Sequence, residues 1–207
     1  MLNIAVLVSG GGTNLQALID AQSSGKIIGG KIAFVISSRA DAFALQRAET
    51  AGIPTAVLIR KSFASGGDYD SALLNLLNQQ KIDLIVLAGF MTIISNRIIK
   101  QYPNKIINVH PALIPAFCGE GYYGLRVHQA ALEKGVKLTG ATVHFVNEVC
   151  DGGPIILQKA VEVQDDDTPE LLQRRVMEQA EWKLLPQAVS LFCQGKLQVE
   201  QNRVKII

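Results

Sequence analysis

The stretch "NIAVLVSGGGTNLQALIDAQSSGKIIGGKIAFVIS", residues 3–37, predicts a strand, a glycine loop, a helix and a second strand. The runs 3–9 and 31–37 are apolar at both alternating positions, which is typical of strands covered on both faces of a parallel sheet. The segment 14–24 between them has the pattern of a helix. This order builds right-handed βαβ units, so the stretch favours an α/β fold.

The same alternation extends over the rest of the first half. Further apolar runs lie at 54–59, 83–90 and 106–110, and helical patterns lie between the runs at 41–52, 69–80 and 95–102. We expect a Rossmann-like, open, mostly parallel sheet with helices on both faces. In the second half, a loop rich in Gly and Tyr is predicted at 117–126 and a helix at 126–135. Two late strands are predicted at 139–148 and 154–163. A long helix at 168–193 and a closing hairpin at 196–206 follow.

Composition and charge describe a globular protein with a full core. Of the 207 residues 48% are apolar and 18% are charged, and the formal net charge is +2. So small a charge argues against a nucleic-acid or membrane surface, and no apolar run approaches the ~20 residues of a membrane helix. A signal-type segment is lacking, and three cysteines without CxxC spacing indicate reduced thiols. We expect a single cytoplasmic domain, residues 1–207.

The glycines Gly10, Gly11 and Gly12 stand between a predicted strand and a predicted helix. Backbone N–H groups at such a helix start bind phosphate, and glycines let the chain turn and the anion approach. The dinucleotide pattern fails because Leu15 stands at its third glycine, and no Gly-Lys-Ser/Thr follows. A single phosphate, as on a ribose 5-phosphate, fits better. The alternative is a tight turn whose glycines serve only steric needs.

The segment "INVHPALIP", residues 107–115, places polar side chains at the end of an apolar run. Residues two apart on a strand share a face, about 6–7 Å apart, so Asn108 and His110 can aim at one point. The amide can hold a carbonyl oxygen, and the imidazole can stabilise an oxyanion or move a proton. The alternative is a pair that only caps the strand.

Asp151, in "NEVCDGGP" at 147–154, is the candidate partner of His110. A carboxylate beside an imidazole favours the imidazolium, so we expect a raised pKa for His110. The carboxylate can also relay protons through water. Asp151 is equally compatible with a simple Asp-Gly turn.

The remaining histidines and Cys150 are interpreted as structural residues. We interpret His144 as a packed, hydrogen-bonded strand residue rather than a ligand, His128 as a helix residue with surface or loop-packing roles, and Cys150 as a buried, inert thiol. A metal site formed by His110, His144 and Asp151 is conceivable. Nothing in the spacing demands such a site, so we expect no metal.

These segments together resemble the phosphoribosylglycinamide formyltransferase family over nearly the whole chain. The resemblance rests on "VLVSGGGTNLQALI", "ADAFALQRAETAGI", "DLIVLAGFM", "INVHPALIP", "TGATVHFVNEVCDGGPIILQ" and "EWKLLP". It implies the formyltransferase fold and transfer of a formyl group from 10-formyltetrahydrofolate to the amine of glycinamide ribonucleotide in purine synthesis, by direct attack through a tetrahedral intermediate. It also implies a phosphate-binding half, 1–100, and a catalytic and folate-binding half, 101–207.

The resemblance implies roles for individual residues as well. It makes Asn108, His110 and Asp151 the catalytic residues, and it puts the substrate amine near Glu181. The substrate phosphate would lie on Gly12, Thr13 and Asn14. The expected folate contacts are Phe90, Met91, Ile93 and Ile94 and the segment Val146, Asn147, Glu148, Val149 and Cys150. The expected partners are these small molecules alone, with the chain as a monomer or homodimer.

Three departures separate the chain from the family pattern. Gly66 stands where some members carry a phosphate-binding arginine, so Lys61 or another cation substitutes, or the loop is mobile. Thr92 stands where some members have an arginine, so contacts to the folate tail differ. The later loop rich in Gly and Tyr is longer, and Tyr122 and Tyr123 either cover a substrate or pack as loop aromatics.

Two rival functions stay open on the sequence. One is a formyltransferase for another amine, such as initiator methionyl-tRNA or a sugar nucleotide, although the near-neutral charge and the absence of a second, nucleic-acid-binding domain argue against tRNA. The other is a non-catalytic module that binds a phosphometabolite. Such a module would keep the glycine loop but has no need of Asn108, His110 or Asp151.

Overall fold

The computed structural model describes residues 1–207, which form a seven-stranded sheet with the strand order β3-β2-β1-β4-β5-β6-β7. The first five strands pair in parallel, and the last two join the edge antiparallel. This architecture confirms the predicted open, mostly parallel sheet. The strands are β1 (Leu2–Val8), β2 (Gly30–Ser37), β3 (Thr55–Val57), β4 (Leu84–Leu87), β5 (Ile106–His110), β6 (Leu138–Phe145) and β7 (Ile155–Glu162).

Helices cover both faces of the sheet, as expected. On one face Leu15 and Leu184 pack in a cluster with Val6, and on the other Leu73 and Ile98 pack with Leu7. Because neighbouring strand residues point to opposite faces, Val6 and Leu7 must both be apolar, which explains the continuous apolar runs. The helices are α1 (Thr13–Ser23), α2 (Phe43–Thr50), α3 (Gly66–Gln79), α4 (Asn96–Gln101), α5 (Leu125–Glu133), α6 (Pro169–Val176) and α7 (Trp182–Cys193).

The predicted long helix from Thr168 to about Cys193 is interrupted in the structure. Its start is as expected, with the Thr168 side chain accepting a hydrogen bond from the Leu171 N–H. Between α6 and α7, however, Met177–Glu181 forms a π-helical turn. A π turn inserts an extra residue into a helix and is frequent at functional sites. Apolar periodicity did not reveal it, since the helix resumes on the same buried face.

Two smaller features complete the fold. The predicted closing hairpin is confirmed as β8 (Leu197–Glu200) and β9 (Arg203–Ile206), which pair antiparallel. The predicted strand at 54–59 is shorter, because the chain leaves the sheet after β3 and forms a 3-10 turn at Arg60–Ser62. No helix has both the length and the apolar composition needed to cross a membrane.

Candidate active site

The candidate site lies where the parallel part of the sheet meets its antiparallel edge. Asn108 and His110 on β5 stand opposite His144 and Thr142 on β6. Directly opposed residues on paired strands point to the same face, so these polar side chains share one surface. This is the face of the Leu73 and Ile98 cluster, and the polar group follows Ile106 of that cluster along β5.

Asp151 completes the cluster from the loop between β6 and β7. One carboxylate oxygen, Oδ2, accepts a hydrogen bond from the Gly119 N–H at 2.9 Å and lies 3.5 Å from His110 Nδ1. The other, Oδ1, lies 3.5 Å from both His144 Nε2 and Asn108 Nδ2. The structure therefore brings together Asn108, His110 and Asp151. It also brings in His144, which is buried and hydrogen-bonded, as its interpretation as a packed, hydrogen-bonded strand residue requires.

Hydrogen-bond directions fix the amide of Asn108. A backbone carbonyl can only accept, so the Nδ1–H of His144 donates to the Phe145 carbonyl at 2.8 Å. In the neutral ring this leaves Nε2 to accept from Asn108 Nδ2 at 3.1 Å. The carboxamide of Asn108 is thus held in one orientation. His144 is a positioning residue for Asn108.

The loop that follows β5 covers His110. The Nε2–H of His110 donates to the Phe117 carbonyl at 2.8 Å, and the side chain of His110 is only 5% exposed. The Phe117 oxygen therefore occupies the position that an oxygen of a bound ligand would take to receive this hydrogen bond. Residues 117–124 have no regular structure, which confirms the predicted loop.

The electrostatics differ from the expectation for His110. Burial lowers the pKa of His110 and outweighs the opposing effects of Asp151 and the Phe117 carbonyl. The expected rise in this pKa was wrong, because the desolvation of a nearly buried imidazolium exceeds its attraction to the carboxylate. The pKa of Asp151 lies below its ordinary value. Burial alone would raise this pKa, but the combined effects of His144, the Gly119 N–H and His110 lower it by more.

The glycine loop turns at the carboxyl end of β1. Gly12 has φ 71° and approaches Ala44 so closely that a Cβ on Gly12 would lie 2.6 Å from the Ala44 Cβ. Around Gly10 and Gly11 the space is open. The first N–H groups of a helix lack intrahelical partners, so the start of α1 offers donors to an anion at this open position.

The side chains that follow the loop point inward to the π turn. The hydroxyl of Thr13 donates to the sulfur of Met177 at 3.5 Å, and the buried amide of Asn14 donates to Glu181 Oε2 at 2.6 Å. Only their backbone N–H groups remain for a phosphate. Glu181 is 6% exposed, and burial raises its pKa to about 7 against the opposing effect of Asn14.

The residues expected to contact folate divide into exposed and packed groups. Met91, Ile93 and Val149 are exposed by 55%, 84% and 64%, so their apolar side chains are open to a ligand. Ile94, at 8%, belongs to the core instead. Phe90 and Val146 pack partly against that core.

The loop before Asp151 is braced by its own amide. Asn147 accepts from the Val149 N–H at 3.0 Å and donates to the Gly152 carbonyl at 3.2 Å. Glu148 and Cys150 are exposed, so the expected burial of Cys150 was wrong. Asp151 has φ 53°, a left-handed backbone conformation that is typical of a turn, and it ends the exposed segment 148–150.

His128 also differs from its expected surface or loop-packing role. It lies on α5 with no exposed area, and neither ring nitrogen has a hydrogen-bond partner. Burial, with a smaller effect from His110, lowers its pKa to about 4. His128 is therefore a neutral core residue beside the site.

The fold and the polar cluster at the end of β5 suit an acyl-transfer enzyme, because Asn108 and His110 can both donate hydrogen bonds. The chain belongs to the formyl transferase family, which it matches over residues 2–189.

Its relatives carry the same chemistry in their names. The chain is 45% identical over 202 residues to the phosphoribosylglycinamide formyltransferase of Haemophilus influenzae, covering 98% of this chain and 92% of that protein. It is 43% identical to the human trifunctional purine biosynthetic protein adenosine-3, covering 96% of this chain and 19% of that protein. Among solved structures, glycinamide ribonucleotide transformylase 1 from Symbiobacterium toebii superposes with a TM-score of 0.94 at 44% identity, covering 100% of this chain and 94% of that one.

Proposed function

We propose that the protein transfers a formyl group from 10-formyltetrahydrofolate to the amine of glycinamide ribonucleotide, a step of purine biosynthesis. The observation that carries the proposal is the convergence of Asn108, His110 and Asp151 at one strand end in a member of the formyl transferase family. A non-catalytic binding module has no need of that convergence.

The chemistry follows from the two hydrogen-bond donors. The substrate amine attacks the formyl carbon, and the carbonyl oxygen becomes an oxyanion. Asn108 Nδ2 and His110 Nε2–H donate to this oxygen, which takes the position now held by the Phe117 carbonyl. Removing one such donor costs on the order of 100 to 1,000-fold in rate, because a preorganised donor stabilises charge that exists only in the transition state.

Proton movement is the role of Asp151. The attacking nitrogen loses a proton as the C–N bond forms, and N10 of tetrahydrofolate gains one as its bond to the formyl carbon breaks. Because its pKa lies below the ordinary value, Asp151 is ionised and accepts the proton through water. The same carboxylate stabilises His110 as it meets the oxyanion.

The two substrates would approach from different elements. The phosphate of glycinamide ribonucleotide binds the backbone N–H groups at Gly12, Thr13 and Asn14, and its amine lies near Glu181. Folate packs against the exposed side chains of the segments 90–94 and 146–150, and Tyr122 and Tyr123 form a lid over it. Both tyrosines are half-exposed, at 39% and 45%, as a lid facing an open site would be.

This assignment divides the single domain into a phosphate-binding half, 1–100, and a catalytic and folate-binding half, 101–207. We place the enzyme in the cytoplasm, as a monomer or homodimer that needs no nucleic acid or membrane.

The test is a product analysis by mass spectrometry. Purified protein is incubated with 10-formyltetrahydrofolate and either glycinamide ribonucleotide, another primary amine or no acceptor. We expect formylglycinamide ribonucleotide, formed on the order of 100 to 1,000-fold more slowly by Asn108→Ala. Formate released equally with and without an acceptor would indicate a hydrolase, and formylation of another amine alone would replace the proposed substrate.

A further inference from the structure

His110 stands at one end of a row of polar side chains that crosses the antiparallel edge of the sheet. On β6, Thr142 pairs directly opposite His110, and on β7, Gln158 pairs directly opposite Thr142. Because opposed residues on paired strands share a face, the three side chains lie side by side on the face that carries the candidate site. The proposed chemistry uses His110 and leaves Thr142 and Gln158 without a role.

Thr142 is fully buried, and every hydrogen-bonding position of its hydroxyl is occupied. The hydroxyl donates to the Ala112 carbonyl at 2.7 Å and accepts from the Ile114 N–H at 3.1 Å and from Gln158 Nε2 at 2.9 Å. A hydroxyl has one donor and two acceptor positions, so this set is complete. Two of the three bonds hold the backbone of the segment that leaves β5 directly after His110.

Gln158 adds a third hold on the same segment. Its amide nitrogen also donates to the Ile114 carbonyl at 3.0 Å, so both of its hydrogens are used. Gln158 is exposed on β7, the last strand of the sheet, so this side chain is not needed to fill the core. Its two hydrogen bonds end on Thr142 and on Ile114 instead. Thr142 and Gln158 therefore form a clamp on the backbone of residues 112–114.

The clamped segment leads to the group that holds the His110 ring. Three residues after Ile114, the Phe117 carbonyl accepts the hydrogen bond from the Nε2–H of His110 at 2.8 Å. The chain from His110 to Phe117 is thus a short arch whose two ends meet at the imidazole and whose middle is fixed by the clamp. If the middle shifts, the backbone that carries His110 and the carbonyl that orients its ring shift as well.

We infer that Gln158, acting through Thr142 and the backbone at 112–114, is a positioning residue that sets the place of the His110 imidazole for formyl transfer. A displacement of about 1 Å in a preorganised site costs on the order of 100-fold in rate, so a distant amide can matter without touching a substrate. The inference rests on the proposed function, because it assumes that His110 donates to the formyl oxygen.

Steady-state kinetics of Gln158→Glu test the inference. The carboxylate keeps the length of the side chain but has no hydrogen to donate, and its charge lies beside the Ile114 carbonyl, so the clamp opens. We expect kcat to fall about 10 to 100-fold while the KM for each substrate stays near wild type. The matched control is Gln187→Glu, which makes the same charge change at an exposed position on α7 and should keep the wild-type kcat.

Two substitutions at Thr142 separate the hydroxyl from the shape of the side chain. Thr142→Ser keeps the hydroxyl and should keep most of kcat, whereas Thr142→Val keeps the shape and should lose at least as much as Gln158→Glu. Adding Gln158→Glu to Thr142→Val should cause little further loss, because both act on the same segment. Thermal unfolding shows which variants are folded, and if Thr142→Val is not, the exposed Gln158 still decides. A normal kcat in Gln158→Glu, a loss no greater than in Gln187→Glu, or a rise in KM alone overturns the inference.

The His110 ring gives a second readout that does not depend on turnover. In wild type its Nε2–H is buried and hydrogen-bonded, so the proton signal in nuclear magnetic resonance should exchange slowly with water. In Gln158→Glu we expect this signal to shift and to exchange about 10-fold faster or more. Wild type without turnover would sink the proposed function, whereas the change in the His110 signal would still support Gln158 as its positioning residue. An unchanged His110 signal would contradict that role.

Discussion

Replacing Glu181 by Gln should make the protein more stable while weakening its substrate site. Glu181 is 6% exposed and accepts one hydrogen bond from Asn14, which Gln can also receive through its amide oxygen. Burial raises the pKa of Glu181 from 4.5 to about 7. The substitution removes the charge and keeps the shape.

The sign of the pH effect follows from proton binding. Between pH 4.5 and about 7 the folded protein keeps the Glu181 proton and the unfolded chain loses it, so stability falls as the pH rises through this window. At about 1.4 kcal/mol per pH unit, wild type loses about 3 kcal/mol over the window from this residue. We expect Glu181→Gln to equal wild type near pH 4.5 and to exceed it by about 3 kcal/mol at pH 8.

Urea unfolding at pH 4.5 and pH 8 measures the difference. Glu178→Gln is the matched control, since Glu178 lies in the same π turn but is exposed and paired with Arg174. It should change stability little at either pH. In the formyl transfer assay Glu181→Gln should raise the KM for glycinamide ribonucleotide. The reasoning is refuted if wild type and Glu181→Gln keep a constant difference in unfolding free energy at both pH values.

Three further substitutions test other parts of the structure. Gly12→Ala should cost about 1–3 kcal/mol in thermal or urea unfolding, because φ is 71° and the new Cβ meets Ala44, whereas Gly11→Ala in open space should cost little; equal losses would contradict this. Burial lowers the pKa of His128 to about 4, so wild type should lose about 3 kcal/mol of unfolding free energy as the pH falls from 6.5 toward 4. His128→Leu should remove this loss, and an unaltered pH dependence of unfolding in the variant would contradict the assignment. Asp151→Asn should slow turnover and change the pH profile of kcat, and an unchanged rate and profile would leave Asp151 as a turn residue.

The parallel half of the fold could be predicted because its signals are local. Runs such as 3–9 are apolar on both faces, and the glycines after Ser9 mark the turn into α1. The same local logic paired Asn108 with His110, since residues two apart on a strand always share a face. The turn at 147–154 offered Asp151 as a partner for His110, the resemblance supported that choice, and the structure brings Asp151 to within 3.5 Å of His110 Nδ1.

The rest depended on contacts distant in sequence. His144 joins the site because β6 pairs antiparallel to β5 in a register that places His144 opposite Asn108. No local sequence pattern predicts that register. The π turn that buries Glu181 leaves the apolar pattern of the helix nearly unchanged. The lowered pKa of His110 depends on burial beneath the Phe117 loop, which a carboxylate in the sequence cannot reveal.

The central claim is that Asn108 and His110 end β5 because they meet the formyl oxygen. Absorbance-monitored formyl transfer from 10-formyltetrahydrofolate to glycinamide ribonucleotide, with wild type and His110→Ala side by side, tests it most directly. We predict that kcat falls on the order of 100 to 1,000-fold in His110→Ala, while binding of glycinamide ribonucleotide measured by calorimetry is kept. Near-normal turnover by a folded His110→Ala would contradict the account.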